Sequence, residues 1–226
     1  MLIPYRDENP TSKTSVITIL LILANIGVFI YQISGKSGYA SITTQFGLIP
    51  VEIIQGKNLS NSTWINPYIT IISYMFLHGG FLHLLFNMLF LWIFGNNVED
   101  RMSPGRFLVF YLITGSVSGI TFALSVPDIN TPLVGASGAI SGILGAYVLM
   151  FPFAKLRVLL FIFRIKMPAF IFIGIWFITQ IFGVFDTKAD SNIAWAAHIS
   201  GFIAGIILFK FFTVKRRKIN KNTVVL

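Results

Sequence analysis

The sequence predicts an all-α, polytopic membrane protein, a bundle of six transmembrane helices that forms one domain over residues 1–226. Of these residues 55% are hydrophobic and only 11% are charged, whereas soluble domains carry about 25% charged residues. The mean hydropathy is +0.78, and apolar runs long enough to cross a bilayer recur along the chain. The lack of cysteine excludes disulfides and thiolate metal sites.

Each predicted span is a run of about 20 predominantly apolar residues, the length that a transmembrane helix needs. The first span has no small-residue cleavage site after it, so we interpret it as a retained span and not as a signal peptide. The second is interrupted near His78 and His83, but no charge falls between Tyr68 and Asn96. The segments between spans, including Ala154–Lys166, are predicted to be loops. The spans lie near residues 14–33, 68–95, 106–126, 134–153, 167–185 and 194–213.

The basic residues predict the orientation of the bundle. The chain carries 17 Lys and Arg against 8 Asp and Glu, a net charge of +9. Most of the basic residues lie before the first span, in the connections after the second and fourth spans, and in the tail. The positive-inside rule therefore predicts that both termini are cytoplasmic and that the connection before the fourth span faces outward. The Lys215–Lys218 cluster is better explained as an anchor at lipid headgroups than as a nucleic-acid site, so no nucleic-acid partner is expected.

A serine and a histidine lie near the starts of two predicted spans. Ser137 lies within Gly135–Gly138 at the start of the fourth span, where unpaired backbone N–H groups and the helix dipole can stabilise an oxyanion. His198 is the candidate base near the start of the sixth span. Because no carboxylate occurs in the second, fourth or sixth span to orient it, the pair would act as a dyad. Taken singly, Ser137 could be a small packing residue and His198 a helix–helix hydrogen-bonding residue.

Two further polar residues, His83 and Asn87, are spaced i, i+4 and therefore lie on one face of the second helix. Both can donate hydrogen bonds to one point, so nucleophile, base and donor pair together satisfy the roles for acyl transfer. Small residues four apart begin beside Ser137 and His198 and allow the fourth and sixth helices to approach closely. A metal site is disfavoured, because His78 and His83 are poorly spaced to share one ion and no acidic residue lies near them. A transporter is a competing class, although no pair of matching half-sequences is apparent.

Three segments resemble the three signatures of the rhomboid intramembrane serine proteases: His78–Met88, Gly135–Gly138 and Ala197–Gly205. They occur in the order and on the spans that this family uses, and the resemblance covers the chain from the first span to the sixth. It implies that Ser137 is the nucleophile and that His198 is the general base and then the general acid.

The resemblance also implies an oxyanion hole formed by His83, Asn87 and the backbone N–H of Ser137. It places His78 near the active-site cavity, where that side chain would help to hold water. No metal and no cofactor are needed for this chemistry.

The chain departs from the family pattern at two positions. Trp64 is followed by Ile65 where family members often carry Trp-Arg in the first loop, and Ser141 stands four after the nucleophile where an aromatic residue often packs on the histidine. Neither change removes a reacting group. By the same resemblance, Glu99 and Arg101 belong to a structural polar cluster on the cytoplasmic side.

The expected function is that of an intramembrane serine endopeptidase, which cleaves transmembrane proteins in or near their membrane-spanning segment. The expected partners are transmembrane protein substrates and membrane lipid, and the expected location is a prokaryotic inner membrane with the active site opening outward. The alternatives are a non-catalytic rhomboid-like adaptor and a small transporter. The natural substrate and the oligomeric state stay open.

Overall fold

The computed structural model describes residues 2–34, 38–59, 65–185 and 192–214. Within these ranges the fold is a helical bundle with one small sheet, and the predicted helical membrane fold is confirmed. Two 3-10 turns, Pro67–Ile69 and Tyr74–Phe76, flank the fourth helix, and a π-helical stretch, Leu91–Gly95, joins the fifth helix to the sixth. In chain order the helices are α1 (Val16–Ser34), α2 (Gly38–Phe46), α3 (Pro50–Gln55), α4 (Thr70–Ser73), α5 (Phe81–Phe90), α6 (Asn96–Met102), α7 (Pro104–Ser125), α8 (Ser137–Met150), α9 (Ala169–Val184) and α10 (Asn192–Phe212).

Four helical segments of the described chain are long and apolar enough to cross a membrane. They are Val16–Ser34, Phe81–Met102, Pro104–Ser125 and Trp195–Phe212. Helices α8 and α9 are apolar but shorter, with 14 and 16 residues. They stand where the fourth and fifth spans are expected, so the count of six spans stays a prediction.

The second predicted span differs from the observed helix at both ends. The chain breaks at Leu77–Gly80, so the long helix begins at Phe81 and not near residue 68. It also continues through Met102, beyond the expected end at residue 95, because Val98 and Met102 pack into the core with no exposed surface. The helix then stops at Ser103, whose φ of 74° is incompatible with a right-handed helix.

A three-stranded antiparallel sheet is the feature that the all-helical prediction omitted. Its strands are β1 (Leu2–Asp7), β2 (Lys155–Leu160) and β3 (Phe163–Pro168), with β2 in the centre. The segment between the fourth and fifth spans is therefore a hairpin and not a loop. Leu156 and Val158 of β2 are fully buried, whereas the alternate residues are more exposed, which is the two-residue period of a half-buried strand.

Polar contacts attach the first residues of the chain to this sheet and to the bundle. The Glu8 carboxylate accepts a hydrogen bond from Arg157 at 2.8 Å and lies 2.9 Å from the Lys166 ammonium. Asp7 accepts hydrogen bonds from Asn97 and from Tyr147, and burial raises the pKa of the Asp7 carboxyl. The start of the chain, β2, β3 and the ends of two helices thus form one connected unit.

A buried carboxylate caps the first helix. Glu99 accepts hydrogen bonds from the backbone N–H groups of Ile17 and Thr18, at 2.9 and 2.8 Å, and from the Thr18 hydroxyl at 2.8 Å. These N–H groups lack partners inside a helix, and the positive end of the helix dipole favours an anion there. Arg101 packs its guanidinium over the Phe151 ring at 5.0 Å. Each of these side chains therefore contacts a part of the chain that is distant in sequence.

Glycines bring α8 against α10, as the four-residue spacing predicts. A Cβ added at Gly201 would overlap the carbonyl oxygen of Gly138, and one at Gly205 would overlap that of Gly142. Helix α8 is the most enclosed of the bundle, with every residue from Gly138 to Tyr147 buried. This close approach places the first residue of α8 beside the N-terminal half of α10.

Candidate active site

A cavity of about 230 Å³ lies between α5, α8, α9 and α10. Most of its wall is apolar, and four of the five predicted site residues contribute polar groups to it. They are His83, Asn87, Ser137 and His198. The structure therefore brings together residues that are separated by more than a hundred positions in the chain.

The candidate nucleophile and base are in direct contact. The Ser137 Oγ lies 2.8 Å from the His198 Nε2, a hydrogen-bond distance. Ser137 is the first residue of α8, and the glycine contacts between α8 and α10 bring the imidazole to it. Both side chains are partly buried, so this hydrogen bond is shielded from bulk water and still borders the cavity.

The other ring nitrogen of His198 contacts a residue that the sequence analysis did not identify. His198 Nδ1 lies 2.8 Å from the Oε1 of Gln180, a buried residue of α9. The predicted dyad was based on the lack of a carboxylate in the second, fourth and sixth spans, and α9 belongs to the fifth. A glutamine in an otherwise apolar span was the available signal, because polar groups within the hydrocarbon tend to mark function.

Aromatic rings hold the imidazole from two further directions. The ring of Trp176 on α9 and the ring of Trp195 on α10 each have their centroid 6.2 Å from that of His198. They supply the restraint that an aromatic residue at position 141 was expected to give. Ser141 instead donates its hydroxyl to the backbone oxygen of Ser137 at 2.6 Å.

His83 has one N–H group on the side of the ring that lies near Gly135 and Ser137. Its Nδ1 accepts the backbone N–H of Gly79 at 3.2 Å, so in the neutral ring the proton is on Nε2. A Cβ added at Gly135 would lie 2.9 Å from this Nε2 and 3.6 Å from Ser137 Oγ. Two features therefore require glycine at position 135. The His83 ring leaves no room for a Cβ, and the residue has a φ of +126°.

Asn87 supplies a second donor one turn further along α5. Its side chain is buried and lines the cavity. Its Nδ2 forms no hydrogen bond with any part of the chain that the structure describes. Buried amide groups are nearly always paired, and this one belongs to the wall of the cavity that Ser137 also lines.

His78 does not join these residues. It is fully buried, it is absent from the cavity wall, and its ring packs edge-on against His83 with the centroids 5.3 Å apart. Its backbone N–H donates to the side-chain oxygen of Gln32, and its backbone oxygen accepts from the Tyr39 hydroxyl. The His78 ring therefore packs against the His83 ring and does not line the cavity.

Trp64, the first-loop residue, lies outside the described residues, and its neighbour Ile65 is buried. Within the ranges that the structure describes, no three His, Cys, Asp or Glu side chains converge in a way that could hold a metal ion.

Comparison with known proteins identifies the family. The model of the Rhomboid domain matches residues 66–215. Rhomboid protease GluP of Bacillus subtilis is 31% identical over 205 residues, which are 89% of this chain and 34% of the relative. Rhomboid protease GlpG of Pectobacterium atrosepticum is 31% identical over 196 residues, 87% of this chain and 62% of the relative.

A third relative is the mitochondrial Rhomboid protein 1 of Saccharomyces cerevisiae, 31% identical over 164 residues. That match covers 68% of this chain and 44% of the yeast protein, so the chain spans less than two thirds of the length of all three relatives. The domain match includes every helix from α4 to α10 and all the polar residues of the cavity. The chain is a member of the rhomboid family of helical membrane proteins.

Proposed function

We propose that the chain is an intramembrane serine endopeptidase that hydrolyses transmembrane proteins in or near their membrane-spanning segment. The observation that carries this proposal is the 2.8 Å contact between Ser137 Oγ and His198 Nε2 at the cavity wall. A serine hydroxyl is a weak nucleophile until a nearby base takes its proton. Two relatives, GluP and GlpG, bear the name rhomboid protease, which supports the same class of reaction.

In the proposed acylation step, Ser137 Oγ attacks the carbonyl carbon of the scissile peptide bond while His198 Nε2 takes the hydroxyl proton. The carbonyl oxygen becomes negatively charged in the tetrahedral intermediate. The imidazolium then gives its proton to the leaving amide nitrogen as the C–N bond breaks. The products are an ester on Ser137 and the released C-terminal part of the substrate with a free amine.

The developing negative charge needs preorganised donors. We assign this role to His83 Nε2–H, to the Asn87 amide and to the backbone N–H of Ser137. The first two line the cavity on successive turns of α5. The third belongs to the first residue of α8, where helical N–H groups have no partner within the helix.

Deacylation repeats the proton transfers with water in place of the serine. Water attacks the ester carbon while His198 Nε2 accepts its proton, and the imidazolium returns that proton to Ser137 Oγ as the C–O bond breaks. The acid product leaves and the resting dyad is restored. None of these transfers requires a cofactor.

The length of α8 supports a site below one membrane surface. A helix of 14 residues is about 21 Å long at 1.5 Å per residue, against roughly 30 Å of hydrocarbon. If Met150 lies at the cytoplasmic boundary, as the basic residues after it indicate, Ser137 lies several ångströms below the outer surface. The substrate bond would then be cut near the outward end of its span.

A purified, reconstituted preparation tests the proposal. Wild-type protein in liposomes should cleave a membrane-anchored reporter and should be labelled by a serine-directed fluorophosphonate, whereas Ser137→Ala should do neither. Ser200→Ala is the matched control, because within the described part of the chain that hydroxyl donates only to its own helix, at Ala197 O, and it should behave as wild type. Cleavage at the wild-type rate by Ser137→Ala would refute the mechanism. A wild-type protein that binds the reporter without cutting it would indicate an adaptor.

A further inference from the structure

The side chain of Gln180 is oriented by hydrogen bonds within its own helix. Its Nε2 donates to the backbone oxygen of Trp176 at 2.9 Å and to the hydroxyl oxygen of Thr179 at 2.9 Å. The Thr179 hydroxyl itself donates to the Trp176 oxygen at 2.6 Å, so toward Gln180 it can only accept. Both contacts therefore require a donor, and only the amide nitrogen can provide one.

The opposite orientation of the amide would be unfavourable. Rotating the amide by 180° would place its oxygen against the Trp176 carbonyl oxygen, where two acceptors face each other without a proton. Gln180 is only 3% exposed, so water cannot compensate for the lost hydrogen bonds. The carbonyl oxygen of Gln180 is consequently the atom that faces His198.

We propose that Gln180 is a positioning residue that sets the tautomer of the His198 imidazole, which makes the site a Ser137–His198–Gln180 triad with a neutral third member. A carbonyl oxygen can only accept, so at 2.8 Å the His198 Nδ1 must carry the proton. In the neutral ring Nε2 is then unprotonated, and its lone pair faces the Ser137 hydroxyl. This inference rests on the proposed function and deepens it.

A neutral partner suits a buried site. When His198 takes the serine proton it becomes a cation, and the Gln180 oxygen stabilises the Nδ1–H of that cation through its dipole. A carboxylate at the same place would have to be desolvated in the resting enzyme, which is costly inside a membrane bundle. The α9 segment contains no acidic residue, so the amide is the orienting group that this helix can offer.

The effect of Gln180 on turnover is measurable. Gln180→Leu removes the acceptor but keeps a side chain of similar size, and we expect kcat to fall about 10–100-fold because a buried N–H loses its partner and the tautomer is no longer fixed. KM should change less than about twofold, since Gln180 does not line the cavity. Gln180→Glu restores an oxygen toward His198 Nδ1 but not the amide donor to Trp176 and Thr179, so kcat should recover only in part. Asn25→Leu also removes a buried amide in the bundle, and it should lower the melting temperature without changing kcat.

The tautomer is tested directly by nitrogen-15 NMR of histidine-labelled protein in liposomes, with the His198 signals assigned by their loss in His198→Ala. Wild-type His198 should show a protonated Nδ1 and an unprotonated Nε2, and Gln180→Leu should show a mixture of the two tautomers. An unprotonated Nδ1 in the wild type, or a Gln180→Leu variant with kcat within about twofold of wild type, overturns the inference. Failure of the proposed function is distinct from either result, because then wild-type protein neither cuts the reporter nor takes the fluorophosphonate.

Discussion

Substitution of one remote glycine should disable the candidate site by separating its two helices. A Cβ added at Gly205 would lie 2.7 Å from both the Cα and the carbonyl carbon of Gly142, where ordinary contact begins at 3.4 Å. These are backbone atoms, so no flexible side chain can move aside. Helices α8 and α10 must therefore move apart by roughly 1 Å, and in Gly205→Ala such a misplacement of reacting groups is expected to lower kcat about 100-fold.

The same change overpacks the bundle, so the free energy of unfolding should also fall by about 1–3 kcal/mol. The assay is kcat for cleavage of a membrane-anchored reporter in liposomes, measured beside the melting temperature of the same preparation. Gly174→Ala is the matched control, because a Cβ on that α9 glycine would meet no atom within 4 Å. It should keep wild-type kcat and gain slightly in stability from better helix propensity. A Gly205→Ala enzyme with more than about a third of wild-type kcat would refute the reasoning that this contact places His198 on Ser137.

Three further predictions address the donors, the sheet and the substrate. Asn87→Ala should lower kcat by a factor of about 10²–10³, because one oxyanion donor is lost. Fluorophosphonate labelling should be retained better in this variant than in Ser137→Ala. Normal turnover with a lower melting temperature would remove Asn87 from the mechanism. The Lys166 and Arg157 side chains lower the pKa of the Glu8 carboxyl below its ordinary value of 4.5. Its ion pairs therefore stabilise the fold above about pH 4.5 and stop doing so as the pH falls through the lowered pKa. Glu8→Gln should accordingly lower the melting temperature slightly at pH 7 and not at strongly acid pH, and an equal loss at both would contradict this linkage. Reporter spans with Gly or Pro near their outward end should be cleaved faster than all-Leu spans. A helical substrate must unwind at the scissile bond before attack, and Gly and Pro are the weakest helix formers. Equal cleavage rates would show that unwinding does not limit the reaction.

The candidate site residues were predictable because their signals are local. Ser137 stands within a glycine-rich helix start, and His83 and Asn87 are related by a single helical turn. The glycines beside Ser137 and His198 also predicted that α8 and α10 meet. The four cavity residues were named together from the motifs and their resemblance, and the structure brings them to one cavity.

The parts that were missed depend on contacts between distant segments. Strand β1 pairs with β2 about 150 residues later in the chain, and neither segment has a pattern long enough to distinguish a strand from a polar loop. The extension of the second span to Met102 depends on the burial of Val98. The seven residues of α6, Asn96–Met102, contain no pattern that predicts this burial. Likewise, the spacing of His78 and His83 does not reveal that the His78 ring packs against His83 and does not itself line the cavity.

The sequence by itself determined the class of molecule, because hydropathy sets which segments leave water and a helix start of small residues marks where unpaired N–H groups lie. Only the tertiary structure decided how the histidine is held. Gln180, Trp176 and Trp195 surround His198 from two helices, and no spacing within either helix reveals that they share one imidazole. The physical reason is that a hydrogen bond depends on the distance and direction between two atoms. Between helices, both are set by the packing of whole side-chain surfaces. The order of residues along one helix does not specify that packing.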